Sequence, residues 1–214
     1  MKGKTSDVSR FYNLWQRHLL TNSSVNESQL ETIFQALINA YNESQRYYHT
    51  LGHINHCLDQ FDQVSHLLKQ PDAVELSIWY HDIIYQPGAV DNEQRSADAF
   101  KRQTNSLFPV EFCKVIYAQI VATLHDQSEI LDHDTRYMLD IDLSGFALPW
   151  TEFIQDGENI RREMKSQTDA VYYAKQKSFY LYLLDRPRIY FSEFFFDKYE
   201  AKARQNIKHK LKNL

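Results

Sequence analysis

The stretch DAVELSIWYHDIIYQPG, residues 72–88, decides how this chain is read. Ala73, Val74, Leu76, Ile78 and Trp79 predict an apolar helix over about 72–84, stopped by the Gln86-Pro87-Gly88 breaker. His81 and Asp82 stand on that same segment. An ionisable pair on so apolar a helix is costly to bury unless something compensates it, and a metal cation is the usual compensator.

Outward from this segment the helical period continues. On the N-terminal side, Phe11, Leu14, Trp15 and Leu19 recur at spacings of three and four. Leu30, Ile33, Phe34, Leu37 and Tyr41 repeat the pattern over 27–41, after a polar Thr21-Asn22-Ser23-Ser24 break. A third helix is expected over about 49–68. On the C-terminal side, Asp91 opens a fifth helix with Gln94 placed as in a capping box. Further helices are expected at about 109–125, 134–146, 150–165, 169–185 and 188–212.

Composition agrees with this reading. Five glycines and five prolines in 214 residues are too few for the turns of a sandwich or barrel. Hydrophobic residues at 43% and charged residues at 24% exclude a disordered or fibrous chain. No uncharged apolar run approaches the roughly 18 residues of a membrane span, and MKGKTSDVSR lacks the apolar core of a secretory signal. Two cysteines, Cys57 and Cys113, are too few for a disulfide framework, so a reducing cytoplasm is expected. The apolar pattern crosses every candidate boundary, which gives one all-α domain over residues 1–214. The aromatics of 172–196 are read as packing and interface. The basic tail, Lys202, Arg204, Lys208, Lys210 and Lys212, is read as a solvated helix end.

Four places combine histidine with carboxylate. His49 and His53 are four apart, so a helix would set them on one face. His81-Asp82 ends one apolar helix and His125-Asp126 another, while Asp140 and Asp142 interrupt Met138, Leu139, Ile141, Leu143 and Phe146. The remaining histidines, His18, His56, His66, His133 and His209, are read as ordinary, and neither cysteine as part of the cluster.

The ordered set H…HD…D on an all-α chain resembles the HD-domain metal-dependent phosphohydrolase superfamily. Tyr48-His49-x-x-x-His53 is similar to the Y-H-N-x-x-H segment of cyclic nucleotide phosphodiesterases, and Asp142-Leu143-Ser144 to their A-D-L-S segment. The longer run R-x-Y-H-T-L-x-H-I, W-Y-H-D-I-I-Y-x-P, D-N-E-x-x-S-A and D-x-D-L-S is similar to a bacterial subfamily described as predicted HD-type phosphohydrolases. The resemblance implies a compact HD-like helical bundle, with its motif core at about 46–146 and additional C-terminal helices at about 150–212. It implies His53, His81, Asp82 and Asp142 as ligands of a divalent metal. Two imidazoles and two carboxylates suit Mn, Fe, Co or Ni, with Mg or Zn also open, and one or two ions per chain. A metal-activated water would then hydrolyse a phosphate ester, a nucleotide or related small phosphorylated metabolite.

His49 matches the phosphodiesterase histidine that protonates the leaving oxygen; a hydrogen bond to a ligand, or a place as first ligand, remain open alternatives. Glu93 is a candidate for orienting the attacking water, or a solvated first-turn acid. Asp91 reads as a helix cap. Arg46, Arg95 and His125 are candidate substrate-binding residues, the arginines as a phosphate clamp or as ordinary exposed arginines, and His125 at phosphate, at a second metal or in a hydrogen bond to a ligand. Asp140 would support the cluster through a hydrogen bond to a ligand. The further histidine of the phosphodiesterases is absent after His81-Asp82, where Ile83-Ile84-Tyr85-Gln86 stands. A homodimer is possible on this reading, and a nucleic-acid partner is not expected. Two rival readings are a non-catalytic metal- and nucleotide-binding module and an RNA-associated helical protein using the basic tail.

Overall fold

The computed structural model describes residues 3–19, 27–104, 107–126 and 132–213, without the side chains of 3–8, 18–19 and 27. The Thr21–Ser24 break and the His18 side chain therefore lie outside the described residues. Those described form ten α-helices and two short 3-10 turns, with no strand among them. The all-α class holds.

Helix α4, Pro71–Tyr80, is the axis of the fold. Proline at its first turn costs no hydrogen bond, and every residue from Ala73 to Tyr80 is buried. Apolar residues on all sides of a helix require neighbours on all sides. α3 (Leu51–Val64), α5 (Asn92–Thr104), α6 (Val110–Ala122) and α7 (His133–Leu143) all pack on it. α1 (Gly3–Leu19) and α2 (Glu27–Tyr41) close one end, where Phe11 meets Trp79 edge-on at 5.4 Å. The Tyr41 hydroxyl donates to the Trp79 carbonyl at 2.9 Å and so anchors the C-terminal end of α4. α8 (Trp150–Glu163), α9 (Asp169–Asp185) and α10 (Glu193–Leu211) complete the chain. One continuous apolar cluster runs from Phe11 to Ile207.

Several boundaries differ from the expected ones, each for a local reason. α3 begins at Leu51 rather than near residue 49, because the Thr50 side chain caps it by accepting from the Gly52 N–H. His49 thus precedes the helix, and its position relative to His53 does not follow from helical spacing. α4 ends at Tyr80, with His81 as its C-cap, its N–H still bonded to the Ser77 carbonyl at 2.9 Å, and Asp82 just beyond it. α6 ends at Ala122, and His125 lies beyond it with φ 58°, in the left-handed region. α10 starts at Glu193 because Ser192 caps it. In the basic tail, Arg204 is not a free surface charge: it pairs with Glu200 at 2.6 Å and donates to the carbonyls of Leu184, Arg186 and Pro187. No helix among the described residues is long and apolar enough to cross a membrane.

Candidate metal centre

Four side chains from three places in the chain turn toward one point. His53 comes from the first turns of α3, His81 and Asp82 from the end of α4, and Asp142 from the last turn of α7. His53 Nε2 lies 3.1 Å from His81 Nε2, 3.2 Å from Asp142 Oδ1 and 3.7 Å from Asp82 Oδ2. His81 Nε2 lies 3.1 Å from Asp82 Oδ2 and 3.5 Å from Asp142 Oδ1. Metal bonds of about 2.0–2.2 Å would set neighbouring donors about 3.0 Å apart in an octahedron and about 3.4 Å apart in a tetrahedron. The observed spacings of 3.1–3.7 Å run from just above the octahedral value to just beyond the tetrahedral one, and His53, His81 and Asp82 on one side and His53 and Asp142 on the other could hold a divalent cation.

The surroundings prepare these atoms for that task. His81 Nδ1 sits 2.9 Å from the Ile78 carbonyl, which can only accept, so Nδ1 carries the hydrogen and Nε2 is left for the cluster. His125 Nε2 lies 2.8 Å from Asp142 Oδ2, leaving Oδ1 toward the two imidazoles. The Tyr182 hydroxyl donates to the His125 carbonyl at 3.1 Å and fixes this left-handed residue. Burial opposes charge on His81, yet Asp82 and Asp142 outweigh it and hold the His81 pKa well above its usual value. Burial likewise works against ionised Asp82 and Asp142, and the surrounding histidines hold both below the usual carboxylate range. The cluster is a field that favours positive charge. A proton or a metal cation can satisfy it.

Cys57 reaches the edge of this group, a turn beyond His53 on α3, where the sequence reading left it out. Its sulfur is 3.7 Å from one ring nitrogen of His53 and 3.9 Å from the other. Near-equal distances place it against the ring rather than in line with either lone pair.

His49 is held by a residue that sequence reasoning missed. Glu163, the last residue of α8, has a side chain with no exposed surface. Its Oε1 accepts from the backbone N–H groups of Tyr47, Tyr48 and His49 at 2.6, 2.7 and 3.0 Å, and its Oε2 lies 2.6 Å from His49 Nδ1. Burial would raise the Glu163 pKa, but His49 and these N–H groups bring it down to about 2. Tyr85 stacks on the His49 ring at 3.9 Å between centroids, and the His53 ring is 6.2 Å away.

The other candidates divide. Glu93 is half-buried rather than solvated; burial, then the Asp82 and Asp142 charges, raise its pKa, so it lies within their field. Asp91 occupies the cap position of α5, its carbonyl accepting from the Arg95 N–H at 2.9 Å. Arg46 is corrected from phosphate clamp to scaffold. Its side chain is 1% exposed, and it donates to the Asp82 and Ile83 carbonyls at 2.6 and 2.9 Å, fixing the segment that carries Asp82. Arg95 is partly exposed, its guanidinium lying at Gln86 Oε1 (3.2 Å) and Asp91 (3.8 Å). Asp140 does not support the cluster. It accepts from the Phe191 and Ser192 N–H groups at 2.7 Å each and from the Ser192 hydroxyl at 2.6 Å, on another face of α7. Comparison of the chain with protein-family models, with characterised proteins and with solved structures returns no match.

Proposed function

We propose that this chain is a metal-dependent phosphohydrolase of the HD type, acting on a nucleotide or related small phosphorylated metabolite. The observation that carries the reading is the convergence of His53, His81, Asp82 and Asp142 at 3.1–3.7 Å, with His49 held beside them. The order of these residues, which resembles the HD-domain phosphohydrolases, supports it further. A divalent cation held by the four residues supplies Lewis acidity at a phosphoryl oxygen and a water acidic enough to ionise near neutral pH.

The chain's own groups supply the rest. His125 keeps Asp142 turned toward the imidazoles, and the Ile78 carbonyl holds the hydrogen on His81 Nδ1, which turns Nε2 toward the cluster. Glu163 engages His49 Nδ1, which leaves Nε2 as the atom that gives a proton to the leaving oxygen. The Tyr85 stack fixes the plane of that ring. Glu93, half-buried within the field of Asp82 and Asp142, is assigned to orienting the attacking water.

Purified protein supplied with Mn²⁺, Fe²⁺, Co²⁺, Ni²⁺, Mg²⁺ or Zn²⁺ in turn, and offered p-nitrophenyl phosphate, nucleoside monophosphates and a cyclic nucleotide, tests the reading. At least one metal should give turnover that His81→Ala abolishes. Absence of turnover with every metal, or turnover indifferent to His81, contradicts it.

A further inference from the structure

The helix α9 is apolar on two opposite sides. Tyr172, Tyr180 and Leu183 are buried against the rest of the chain. At 3.6 residues per turn, Val171, Ala174, Ser178, Leu181 and Asp185 fall within about 80° of one another on the side turned away from them. All five are exposed, Val171 by 47% and Leu181 by 50%. The Ser178 hydroxyl donates back to the Ala174 carbonyl at 3.0 Å, so it presents little polarity outward. Beside this stripe Tyr182 is 41% exposed, and its hydroxyl is engaged with the His125 carbonyl, which leaves the ring toward solvent. A surface groove of ≈ 480 Å³ is lined by Leu181, Tyr182, Leu184 and Asp185. A helix with apolar residues on both sides calls for a neighbour on each.

Spacing and charge decide which neighbour fits. The alternation of three and four residues along the stripe is that of a coiled-coil seam. Lys175 flanks it toward the N-terminal end and Asp185 closes it at the C-terminal end, and among the described residues neither has an ion-pair partner. Two α9 helices packed antiparallel, about a two-fold axis between Ser178 and Leu181, set Leu181 on Ser178 of the second copy, large against small. The same packing brings Lys175 alongside Asp185 of the second copy, twice over by symmetry. Parallel packing would instead set Lys175 against Lys175. The face complements itself, and in one orientation.

We propose that the outward face of α9 joins two copies of this chain, antiparallel, with Leu181 at its centre and Lys175–Asp185 pairs at its two ends. This interface covers the Tyr182 ring, whose hydroxyl fixes His125, and it does not depend on the activity of the metal cluster.

Sedimentation equilibrium of the full chain over about 1–100 μM tests the pairing. The wild type should move from one chain mass, 25.5 kDa, toward twice that mass across the range. Leu181→Asp, a change at a half-exposed position checked for helix content by circular dichroism, should stay at one chain mass throughout. Lys175→Asp and Asp185→Lys should each weaken the dimer by about tenfold, since each sets like charges together twice per dimer. The double variant, with the charges exchanged, should regain the wild-type dissociation constant. If Leu181→Asp does not fold, the charge series alone decides. A wild type at one chain mass up to the highest concentration overturns the inference and leaves the face to a different partner. A dimer that survives Leu181→Asp overturns it by placing the contact elsewhere. Weakening in both single reversals without recovery in the double variant overturns the antiparallel pairing, since general damage to the helix would give that result.

Discussion

Asp140 and Asp142 stand two residues apart on α7 and meet opposite surroundings. Asp140 accepts three hydrogen bonds, two from backbone N–H groups and one from the Ser192 hydroxyl, and so ties the segment before α10 to the core. Asp142 meets imidazole nitrogens from three different parts of the chain, His53, His81 and His125. Glu163 belongs with Asp140, since backbone N–H groups of three consecutive residues converge on it. N–H groups of the fold answer the charge of Glu163, while at Asp140 the same kind of donors hold the carboxyl in place but do not outweigh its burial. A carboxylate surrounded by imidazoles has its charge answered by a proton or a metal cation. The difference separates acids that build this molecule from acids that equip it.

The largest expected effect breaks the second group. His81→Ala and Asp82→Ala should each lower turnover by at least about 10³-fold, because the cation that stabilises phosphoryl charge is lost with the ligand. Initial rates at saturating metal check this, and near-wild-type rates would remove either residue from the cage. Glu163→Gln should come next, with metal retained and kcat lowered by about 10–10²-fold. The deficit should be smaller for p-nitrophenyl phosphate than for an alkyl phosphate, whose leaving oxygen needs the His49 proton. An equal deficit on both would leave Glu163 a purely structural anchor.

Asp140→Asn should cost about 1–3 kcal/mol of stability, since an amide nitrogen would face the donors that a carboxylate oxygen now accepts. Urea denaturation measures it, and an unchanged midpoint would deny Asp140 its scaffold role. The smallest effects concern pH, and they run in opposite senses. The Glu163 pKa falls from an ordinary 4.5 to about 2, so its contribution is present above 4.5 and is lost as pH falls toward 2. Burial, outweighing the Ser192 and Phe191 donors, raises Asp140 from 3.8 to about 7. Its contribution is full below 3.8 and is lost as pH rises through 7. The difference in stability between wild type and Glu163→Gln should therefore shrink on acidification, and that between wild type and Asp140→Asn should shrink on the way to neutrality.

His53, His81, Asp82 and Asp142 were named together through the family resemblance, and the fold brings them within reach of one another. His81-Asp82 ends the apolar run before Pro87-Gly88, and Asp142 falls in the last turn of a patterned helix. The helical class followed from period and from the scarcity of glycine and proline. Asp140 and Asp142 were separable in principle, since two helical steps rotate a side chain by about 200°. Glu163 was not legible: it follows Arg161-Arg162, reads as a solvated acid, and meets His49 across 114 residues. Arg46 was misread for the related reason that burial of an arginine depends on carbonyls supplied by a distant segment, here Asp82 and Ile83. Thr50 was a signal available and unused, since a threonine before an apolar-periodic run caps a helix and puts His49 outside it.

The central claim is that Asp142, and not Asp140, helps to hold a cation. Elemental analysis of the purified wild type, Asp142→Asn and Asp140→Asn proteins, each kept folded as judged by circular dichroism, tests it most directly. The wild type and Asp140→Asn should carry a divalent metal at about one ion or more per chain, and Asp142→Asn should carry little or none. Equal metal in both variants, or loss from Asp140→Asn alone, would contradict the account.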